Sequence, residues 1–231
     1  MPAGTAYGVM RARWGTGAGG SALPCLPPTP GVTVHDVTRQ GCGPAPSSPY
    51  RCFGGLHEVS RRCERWPSDL RQAVDRDDPD VVVLLFGRWE TMDRSHGGRW
   101  THIGDKTFDA YLRAQLDRAI DTAAARGARV LLATVPYNRR GERPDGGVWP
   151  EDRPERVDLW NRMLRQAAAH KGRSAGILEL GRRLCPDGAF TWEVDGVRVR
   201  SDGVHLTPEG ARWLQPWLTS QVRSAAGRRP R

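Results

Sequence analysis

The strongest constraint on the fold of this chain is an unbroken apolar run of six residues, Val81-Val82-Val83-Leu84-Leu85-Phe86. A strand with one face in water alternates apolar and polar side chains, and this run does not alternate. A continuous β-branched and aliphatic segment is typical of a strand that is buried on both faces, as in the centre of a parallel sheet. We therefore predict a central parallel strand at this position.

Segments typical of strands and helices alternate on both sides of this run. The further predicted strands cover residues 32–37, 130–135 and 177–180, and the predicted helices cover residues 66–74, 106–126, 154–169 and 207–225. This alternation predicts a three-layer α/β/α sandwich with a mostly parallel sheet, whose sites form at the carboxyl ends of the strands. The 231 residues suffice for one core, so we predict a single domain over residues 1–231, with its core from about 4 to 222 and a basic tail over 223–231.

The remaining segments give weaker predictions. Residues 5–14 have the composition of a short helix, and no strand is predicted ahead of residue 32. Residues 39–62 are rich in Gly, Pro, Ser and Cys and are predicted to form a long loop. A loop of that length is more often functional or cross-linked than accidental.

Charge and hydropathy exclude several classes of function. Lys and Arg outnumber Asp and Glu by 35 to 26, which gives a formal net charge of +9. The excess is mostly Arg spread along the chain, without a recognised nucleic-acid motif, so we interpret it as a solvated surface and predict no nucleic-acid partner. The longest apolar run is too short to cross a bilayer, and Arg11 and Arg13 interrupt the N-terminal segment, so we predict neither a transmembrane segment nor a signal peptide.

The cysteines leave two alternatives open. Five are present, and no two have the Cys-x-x-Cys spacing of a zinc site, so we predict no metal: Cys25, Cys42, Cys52, Cys63 and Cys185. Three of them, Cys42, Cys52 and Cys63, lie close together in the predicted loop. They form either a disulfide, as is common in an oxidising compartment, or a set of unpaired thiols.

The most distinctive polar stretch is Ser201-Asp202-Gly203-Val204-His205-Leu206-Thr207-Pro208-Glu209-Gly210. It places Asp202 and His205 three residues apart on a Gly-containing turn, and Thr207 and Pro208 are predicted to be the N-cap and first residue of a helix. An Asp and a His held together at a helix entrance can form the base half of a nucleophilic site. The alternative is a capped turn in which the His bonds only to backbone.

Two further blocks lie just after predicted strands, at the carboxyl ends where sites form in this class of fold. Gly41-Cys42-Gly43 comes after the first predicted strand, and Gly87-Arg88-Trp89-Glu90 comes directly after the central strand. Together with Asp202-Gly203-Val204-His205, these blocks resemble those of the SGNH hydrolases, also called GDSL-type esterases and lipases. The chain looks most like the SGNH domains of bacterial cell-surface acyltransferases, over about residues 4 to 222.

This resemblance implies a flavodoxin-like fold and an ester-hydrolysing site that uses no metal and no organic cofactor. In the family a Ser is the nucleophile, a His accepts its proton, an Asp orients the His, and hydrogen-bond donors form an oxyanion hole. By resemblance, His205 is the general base and Asp202 is its orienting partner. Gly41 and Trp89 stand at the oxyanion-hole positions of the second and third blocks.

The chain departs from the family pattern in two places. Gly4 occupies the position of the nucleophilic Ser, and the family's first strand, which is internal to the sheet and precedes that Ser, is missing. Either the nucleophile is lost, or the true chain begins further upstream. In the third block Trp89 replaces the usual Asn; its single N–H retains one donor, and Arg88 is a second candidate donor.

Other residues are weaker candidates for the site. Those considered for the nucleophile are each less suited than a family Ser: Thr5, Ser21, Ser201 and Cys42. Glu90 and Asp93 are interpreted as solvated loop acids. Trp89, Trp100 and Trp149 lie in predicted rim loops, where they either stack on sugar rings or pack in part against the protein.

The sequence therefore predicts an SGNH-type hydrolase or O-acyl transfer domain that acts on an acyl (acetyl) ester of a glycan or small alcohol, inactive as written if Gly4 replaces the nucleophile. The alternative is a non-catalytic carbohydrate- or ester-binding module with the same fold, and a polyanion-binding protein is a weaker third interpretation. The resemblance also implies a membrane acyltransferase partner and a place at the cell surface.

Overall fold

Strands and helices alternate along most of the chain. The computed structural model describes residues 7–11, 32–37, 42–45 and 49–227, the first range by its backbone alone. The strands are β1 (Tyr7–Arg11), β2 (Thr33–Asp36), β3 (Tyr50–Cys52), β4 (Gly55–His57), β5 (Val81–Leu84), β6 (Asp93–His96), β7 (Arg99–Thr101), β8 (Arg129–Ala133), β9 (Ala175–Leu178), β10 (Glu193–Val194) and β11 (Val197–Arg198). The α-helices are α1 (Trp66–Asp77), α2 (Arg88–Thr91), α3 (Lys106–Ala124), α4 (Pro154–Lys171), α5 (Leu180–Leu184) and α6 (Pro208–Ala226).

The main sheet has five strands in the order β2-β1-β5-β8-β9. β5 is parallel to β8, and β8 is parallel to β9. β1 is antiparallel to both of its neighbours, so β2 runs in the same direction as the other three strands. The prediction of a mostly parallel sheet is confirmed, with one strand reversed.

The reversed strand corrects the expectation for the segment after residue 4. The sequence predicts a short helix over residues 5–14, whereas residues 7–11 form β1 in an internal position of the sheet. The family's first strand would precede residue 4, outside the described residues, and its absence stays a prediction. β1 pairs Tyr7 with Leu84 on one side and Gly8 with Asp36 on the other. Without it, the facing edges of β2 and β5 would leave backbone donors and acceptors unpaired, so ladder pairing outweighs the local helix composition.

The side chains of the central strand divide the core between the two faces of the sheet. Val82 and Leu84 belong to a cluster with apolar residues of α1, α3 and α4. Val81 and Val83 belong to a second cluster with residues of α6. Every residue of β5 is buried because each face of the sheet carries a helical layer. This arrangement is the predicted three-layer sandwich.

A second, antiparallel sheet in the order β4-β3-β6-β7 forms within segments that the sequence predicts as loops. Its strands have only three or four residues and carry several charged side chains, so they lack a clear alternating pattern. The sheet joins the segments that follow β2 and β5. Those segments start from the carboxyl ends of main-sheet strands, where sites form in this class of fold.

A disulfide between Cys42 and Cys63 fastens the segment after β2 to the entrance of α1. Cys63 lies in a short 3-10 helix, Arg61–Arg65, directly before α1, and both half-cystines are buried. Among the cysteines that the structure describes, Cys52 and Cys185 are free thiols. The disulfide alternative is therefore confirmed for one pair. Cys25 lies outside the described residues.

The last helix begins as the sequence predicts. The Thr207 hydroxyl accepts a hydrogen bond from the Gly210 backbone N–H at 2.8 Å, and Pro208 is the first helical residue. The helix continues to Ala226, and its Val222 and Ala225 side chains pack under the sheet. Within the described ranges, no helix combines the length and the apolar character needed to span a membrane.

Candidate active site

The turn between β11 and α6 holds Asp202 and His205 in direct contact. Asp202 Oδ2 lies 2.7 Å from His205 Nδ1. Asp202 Oδ1 accepts hydrogen bonds from the backbone N–H groups of Val204 (3.0 Å) and His205 (2.8 Å). Because Nδ1 faces a carboxylate, we assign the ring proton to Nδ1, which leaves Nε2 free to accept a proton. The His therefore bonds to the Asp side chain, not only to backbone.

Gly203 is required by the path of this turn. Its φ is +82°, in the left-handed region, and a Cβ atom there would lie 2.0 Å from the Arg139 carbonyl oxygen. The Arg139 backbone N–H in turn donates to the Gly203 carbonyl at 3.1 Å. These contacts lock the turn against the segment that follows β8.

The base of the turn is fixed by Arg200, whose side chain is 2% exposed. Its Nη1 donates to the Val204 carbonyl at 2.9 Å, and its backbone forms an antiparallel bridge with Leu206. The Ser201 backbone N–H and hydroxyl both donate to the His205 carbonyl, at 2.9 and 3.2 Å. Ser201 thus caps the turn, as the sequence predicts, and is not placed as a nucleophile.

The electrostatics of the turn keep Asp202 ionised. Burial tends to raise the pKa of Asp202, but hydrogen bonds from the His205 backbone, the His205 ring and the Val204 backbone lower it to about 2. Arg140 Nη2, 3.9 Å from Asp202 Oδ2, adds a positive charge nearby. The Asp202 and His205 side chains are 36% and 40% exposed, so the pair is open to a substrate.

The described ranges place no nucleophilic side chain against the Asp–His pair. No group in them hydrogen bonds to His205 Nε2. Cys42 is excluded as a thiol nucleophile because it is oxidised in the disulfide with Cys63. Four residues that the sequence analysis singles out lie outside the described residues: Gly4, Thr5, Ser21 and Gly41.

Trp89 in the third block carries a hydrogen-bond donor without an acceptor among the described residues. The residue is 3% exposed, and the unpaired donor is its Nε1. The ring packs against Tyr50 edge to face, with centroids 4.9 Å apart. Arg88, the second candidate donor, is instead engaged by Asp152 and lies 3.6 Å from Glu151 Oε1. An oxyanion-hole role for Trp89 remains a prediction.

Glu90 corrects the expectation of a solvated loop acid. Its side chain is 1% exposed, and among the described residues no donor meets either carboxyl oxygen at full hydrogen-bond geometry, although the backbone N–H groups of Gly87 and Glu90 lie near enough to lower its pKa slightly. Burial raises its pKa to about 8, an effect that the charge of Arg94 only partly offsets. It packs so closely on Gly43 that a Cβ atom there would lie 1.9 Å from Glu90 Oε1, so the second and third blocks touch. Asp93, unlike Glu90, has a charged partner: one of its carboxyl oxygens lies 2.8 Å from Arg156 Nη2.

A pocket of about 250 Å³ opens beside the Asp–His turn, between the small sheet and α2. Its lining combines aromatic, sulfur-containing and cationic side chains: Tyr50, Cys52, Phe53, His57, Arg88, Trp89, Met92 and Arg140. Arg140 joins the pocket to the turn, since it also approaches Asp202. Arg140 is therefore the residue through which the pocket and the Asp–His pair are connected.

Sequence reasoning missed most of this pocket. Tyr50 and Met92 lie in segments predicted as plain loops, and Arg140 follows β8 within a Gly- and Pro-rich stretch. The rule that sites form at strand carboxyl ends is the one signal that points to all three. Of the predicted rim tryptophans, Trp100 is 41% exposed beneath the Arg51 guanidinium, and Trp149 packs edge to face on a neighbouring ring.

The described side chains contain no cluster of three or more metal-ligating groups. A three-layer sandwich whose last loop presents a hydrogen-bonded Asp–His pair beside the sheet's carboxyl edge defines a domain of the SGNH-hydrolase class. The family model described as "SGNH domain (fused to AT3 domains)" matches residues 23–219. The chain belongs to this family.

The chain is similar to two solved structures. The crystal structure of TesA is 19% identical over 69% of this chain and 68% of its own, with a TM-score of 0.42. The structure of a peptidoglycan O-acetylesterase in action is 18% identical over 68% of this chain, with a TM-score of 0.39. This chain covers 41% of that second protein. No curated protein matches the sequence. With TM-scores below 0.5, neither likeness carries an argument.

Proposed function

We propose that this SGNH domain hydrolyses or transfers the acyl group, such as acetyl, of an ester on a glycan or small alcohol. The observation that carries the proposal is the contact between Asp202 and His205, with a carboxylate that two backbone N–H groups hold in place. That arrangement supplies an oriented general base whose Nε2 is open to substrate. A site built for binding alone has no need of this orientation.

The proposed chemistry assigns each group one step. His205 Nε2 accepts the proton of a nucleophilic hydroxyl as its oxygen attacks the acyl carbon, and Asp202 stabilises the resulting imidazolium. The negative charge on the carbonyl oxygen is met by hydrogen-bond donors, for which Trp89 Nε1 and the Gly41 backbone N–H are the candidates. Collapse of the tetrahedral species expels the alcohol, which takes the proton back from His205. Water or an acceptor alcohol then releases the acyl group by the same steps in reverse.

A second candidate function is a binding module that retains the cleft without turnover. Two observations favour it: Gly4 stands where the family has its Ser, and no described hydroxyl reaches His205 Nε2. In this case the Asp–His pair would be a remnant whose Nε2 accepts a hydrogen bond from a hydroxyl of the bound molecule. The family's association with AT3 domains supports the further proposal that a membrane acyltransferase is the partner in both cases.

The test compares hydrolysis of nitrophenyl acetate by the 231-residue chain and by a Gly4→Ser form in which a family-type strand precedes residue 4. We expect turnover in the second form, reduced about 10³-fold or more by His205→Ala. His170→Ala, in the exposed face of α4, is the matched control and should leave turnover unchanged.

Absence of His205-dependent turnover in the Ser-containing form would remove the esterase proposal. Binding of an acetylated glycan without turnover, in both forms, would establish the binding module instead.

A further inference from the structure

Residues 42–45, in and after the second block, lie between α1 and the third block. On the side of α1 they are held by the disulfide and by a hydrogen bond of 3.0 Å from Trp66 Nε1 to the Pro44 carbonyl. On the other side, Gly43 packs against Glu90. The position of this segment relative to the third block is therefore decided at Gly43 and its neighbours.

Two ionisable side chains are buried at this contact. Arg94 and Glu90 are 3% and 1% exposed. Arg94 Nη2 donates to the Ala45 carbonyl at 2.9 Å, and its Nη1 donates to the Trp89 carbonyl at 3.4 Å, so the guanidinium joins the backbones of the two segments. The Glu90 carboxyl group covers Gly43 so closely that a Cβ atom there would lie 1.9 Å from Oε1 and 3.1 Å from Cδ. Both side chains therefore act at the same junction.

Trp89 confines Gly43 from a second direction. The same Cβ atom would lie 3.3 Å from the Trp89 Cβ, which is a tight contact. Trp89 carries the candidate oxyanion donor of the third block, and the second block holds the other candidate. Because protein interiors are close-packed and Glu90 fills the space over Gly43, a shift of the Glu90 carboxyl group must move one block relative to the other.

From these contacts we propose that Glu90 is a positioning residue for the acyl-transfer step. Its carboxyl group sets the distance between residues 42–45 and Trp89, and hence the placing of the two candidate oxyanion donors. The inference rests on the proposed function and deepens it, because it adds a residue that acts through these donors. At 1% exposure, Glu90 is too deeply buried to meet a substrate itself.

The proton of the Glu90 carboxyl group is part of this role. Burial raises the pKa of Glu90 to about 8, and the Arg94 charge offsets the rise only in part. Arg94 is the charged group that faces it from β6, and Gly87 of the preceding turn brings a backbone N–H. Residues 42–45 bring no titratable side chain, since their cysteine is in the disulfide. A carboxylate formed above about pH 8 needs more donors than the backbone of the turn provides, so it should leave Gly43 and change the spacing of the blocks.

A pH titration of the ¹⁵N-labelled 231-residue chain tests this role without turnover. The readouts are the Gly43 amide and Trp89 indole N–H signals, assigned by their loss in Gly43→Ala and Trp89→Phe. We expect both signals to shift with one midpoint near pH 8, and neither to shift across the same range in Glu90→Gln, which keeps the neutral shape. Glu193→Gln, at an exposed acid, is the matched control and should retain the titration.

A double substitution tests the contact itself. Gly43→Ala places its methyl group on the Glu90 carboxyl, whereas Glu90→Ala empties the space that this methyl group would occupy. In a Ser-containing form with turnover, we expect each single substitution to lower kcat about 10–100-fold with KM within about twofold, and the double to lower kcat no further than either one. Glu90→Gln should keep kcat within about twofold at neutral pH, as should Met163→Ala, a truncation elsewhere in the core.

If Glu90→Ala does not fold, the titrations of the wild type and of Glu90→Gln decide alone. Signals that titrate alike in these two proteins, or that do not respond near pH 8, overturn the inference, as do kcat losses that multiply in the double substitution. The outcomes also separate the inference from the proposed function. A shared titration without His205-dependent hydrolysis removes the function and keeps the control of spacing by Glu90. Hydrolysis with unresponsive Gly43 and Trp89 signals keeps the function and removes the inference.

Discussion

At the scale of single residues, the backbone of the turn fixes the orientation of the Asp202 carboxylate toward His205. One of its oxygens is held by two backbone N–H groups, so the other is presented to His205 without a free choice of rotamer. Because the pKa of Asp202 is lower in the folded state than in the unfolded state, its ionised carboxylate stabilises the fold. This contribution to the free energy of unfolding is present above the unfolded pKa near 3.8 and is lost as the pH falls through about 2. The Asp202 carboxylate is therefore ionised at pH values well above about 2.

Replacing Asp202 by Asn should change the protonated nitrogen of His205. An amide presents a donor as well as an acceptor, so the preference for a proton on Nδ1 falls and both neutral tautomers become populated. The ¹⁵N chemical shifts of the His205 ring nitrogens report this directly, in the chain as it exists. In a Gly4→Ser form with turnover, we expect the same change to lower kcat by about 10²–10⁴-fold.

Asp145→Asn, at an exposed site in the loop after β8, is the control for the Asp202 substitution and should leave the ¹⁵N chemical shifts of both His205 ring nitrogens unchanged. Unaltered His205 shifts in Asp202→Asn would mean that the carboxylate does not select the tautomer.

Glu90 should make the protein less stable as the pH rises. Its folded pKa of about 8 lies above the unfolded value near 4.5, so the folded state binds the proton more tightly across that window. The free energy of unfolding should therefore fall by up to about 1.4 kcal/mol per pH unit between about 4.5 and 8, and level off above it. Glu90→Gln keeps the neutral shape and should remove this part of the slope, as measured by urea unfolding across the pH range.

The exposed Glu193→Gln is the matched control for Glu90 and should retain the wild-type slope. If Glu90→Gln and the wild type lose stability in parallel from pH 5 to 8, Glu90 is ionised in the folded protein.

At the scale of elements, the segment between β2 and α1 owes its place to a cross-link and to one close contact. The Cys42–Cys63 disulfide closes a loop of 21 residues in sequence separation. Gly43, next to Cys42, packs on Glu90 of α2. Through these two residues the segment after β2 is tied both to α1 and to the segment after β5.

Replacing Cys42 and Cys63 by Ala should lower the free energy of unfolding by about 3 kcal/mol, the amount expected from the loop that the disulfide closes. Urea unfolding under non-reducing conditions gives the value. Cys52→Ala, at a free thiol of the small sheet, should cost less than half as much. Equal losses in the two proteins would show that the cross-link adds nothing beyond the packing of its sulfur atoms.

The elements differ in how far the sequence predicts them, and the reason is burial. β5, β8 and the helices α1, α3, α4 and α6 carry long apolar patterns set by the two faces of one sheet, so composition and spacing locate them. β3, β4, β6 and β7 are short and polar, and only their mutual pairing holds them as strands. β1 was missed for a related reason: its place depends on partners far along the chain.

The candidate site divides in the same way. Asp202 and His205 are predictable because they are local, three residues apart on one turn that Gly203 makes possible. The pocket is not, since Tyr50, Met92 and Arg140 come from three separate segments that meet only in the folded chain. The spacing of these residues in the sequence therefore does not predict that they lie close together.

At the scale of the whole molecule, the sheet depends on a strand from the start of the chain. β1 lies between β2 and β5 and pairs with both. Val9, at its centre, is opposite His35 on one side and Val82 on the other. If β1 completes the sheet, loss of one of its backbone donors must weaken the whole fold, not only its N-terminus.

Val9→Pro tests this dependence, because Pro has no backbone N–H and does not fit an internal strand. We expect a loss of about 1–3 kcal/mol in the free energy of unfolding, because the ladder acceptor that faces residue 9 loses its donor; the change is seen as a single cooperative transition at lower urea concentration. Val9→Ala keeps the N–H and is the control at the same position, with a markedly smaller loss. Equal, small losses for Pro and Ala would show that β1 does not hold the sheet together.

The internal place of β1 also bears on synthesis at the ribosome. Tyr7 and its neighbours emerge before their partners around Leu84, which follow only after the disulfide loop and α1 have been made. During that interval a β1–β2 hairpin would present one bare edge, of the kind that pairs with other chains. Slow translation between residues 40 and 80 should therefore favour aggregation of the nascent chain, and a chaperone that covers β1 until β5 appears should increase the yield of folded protein.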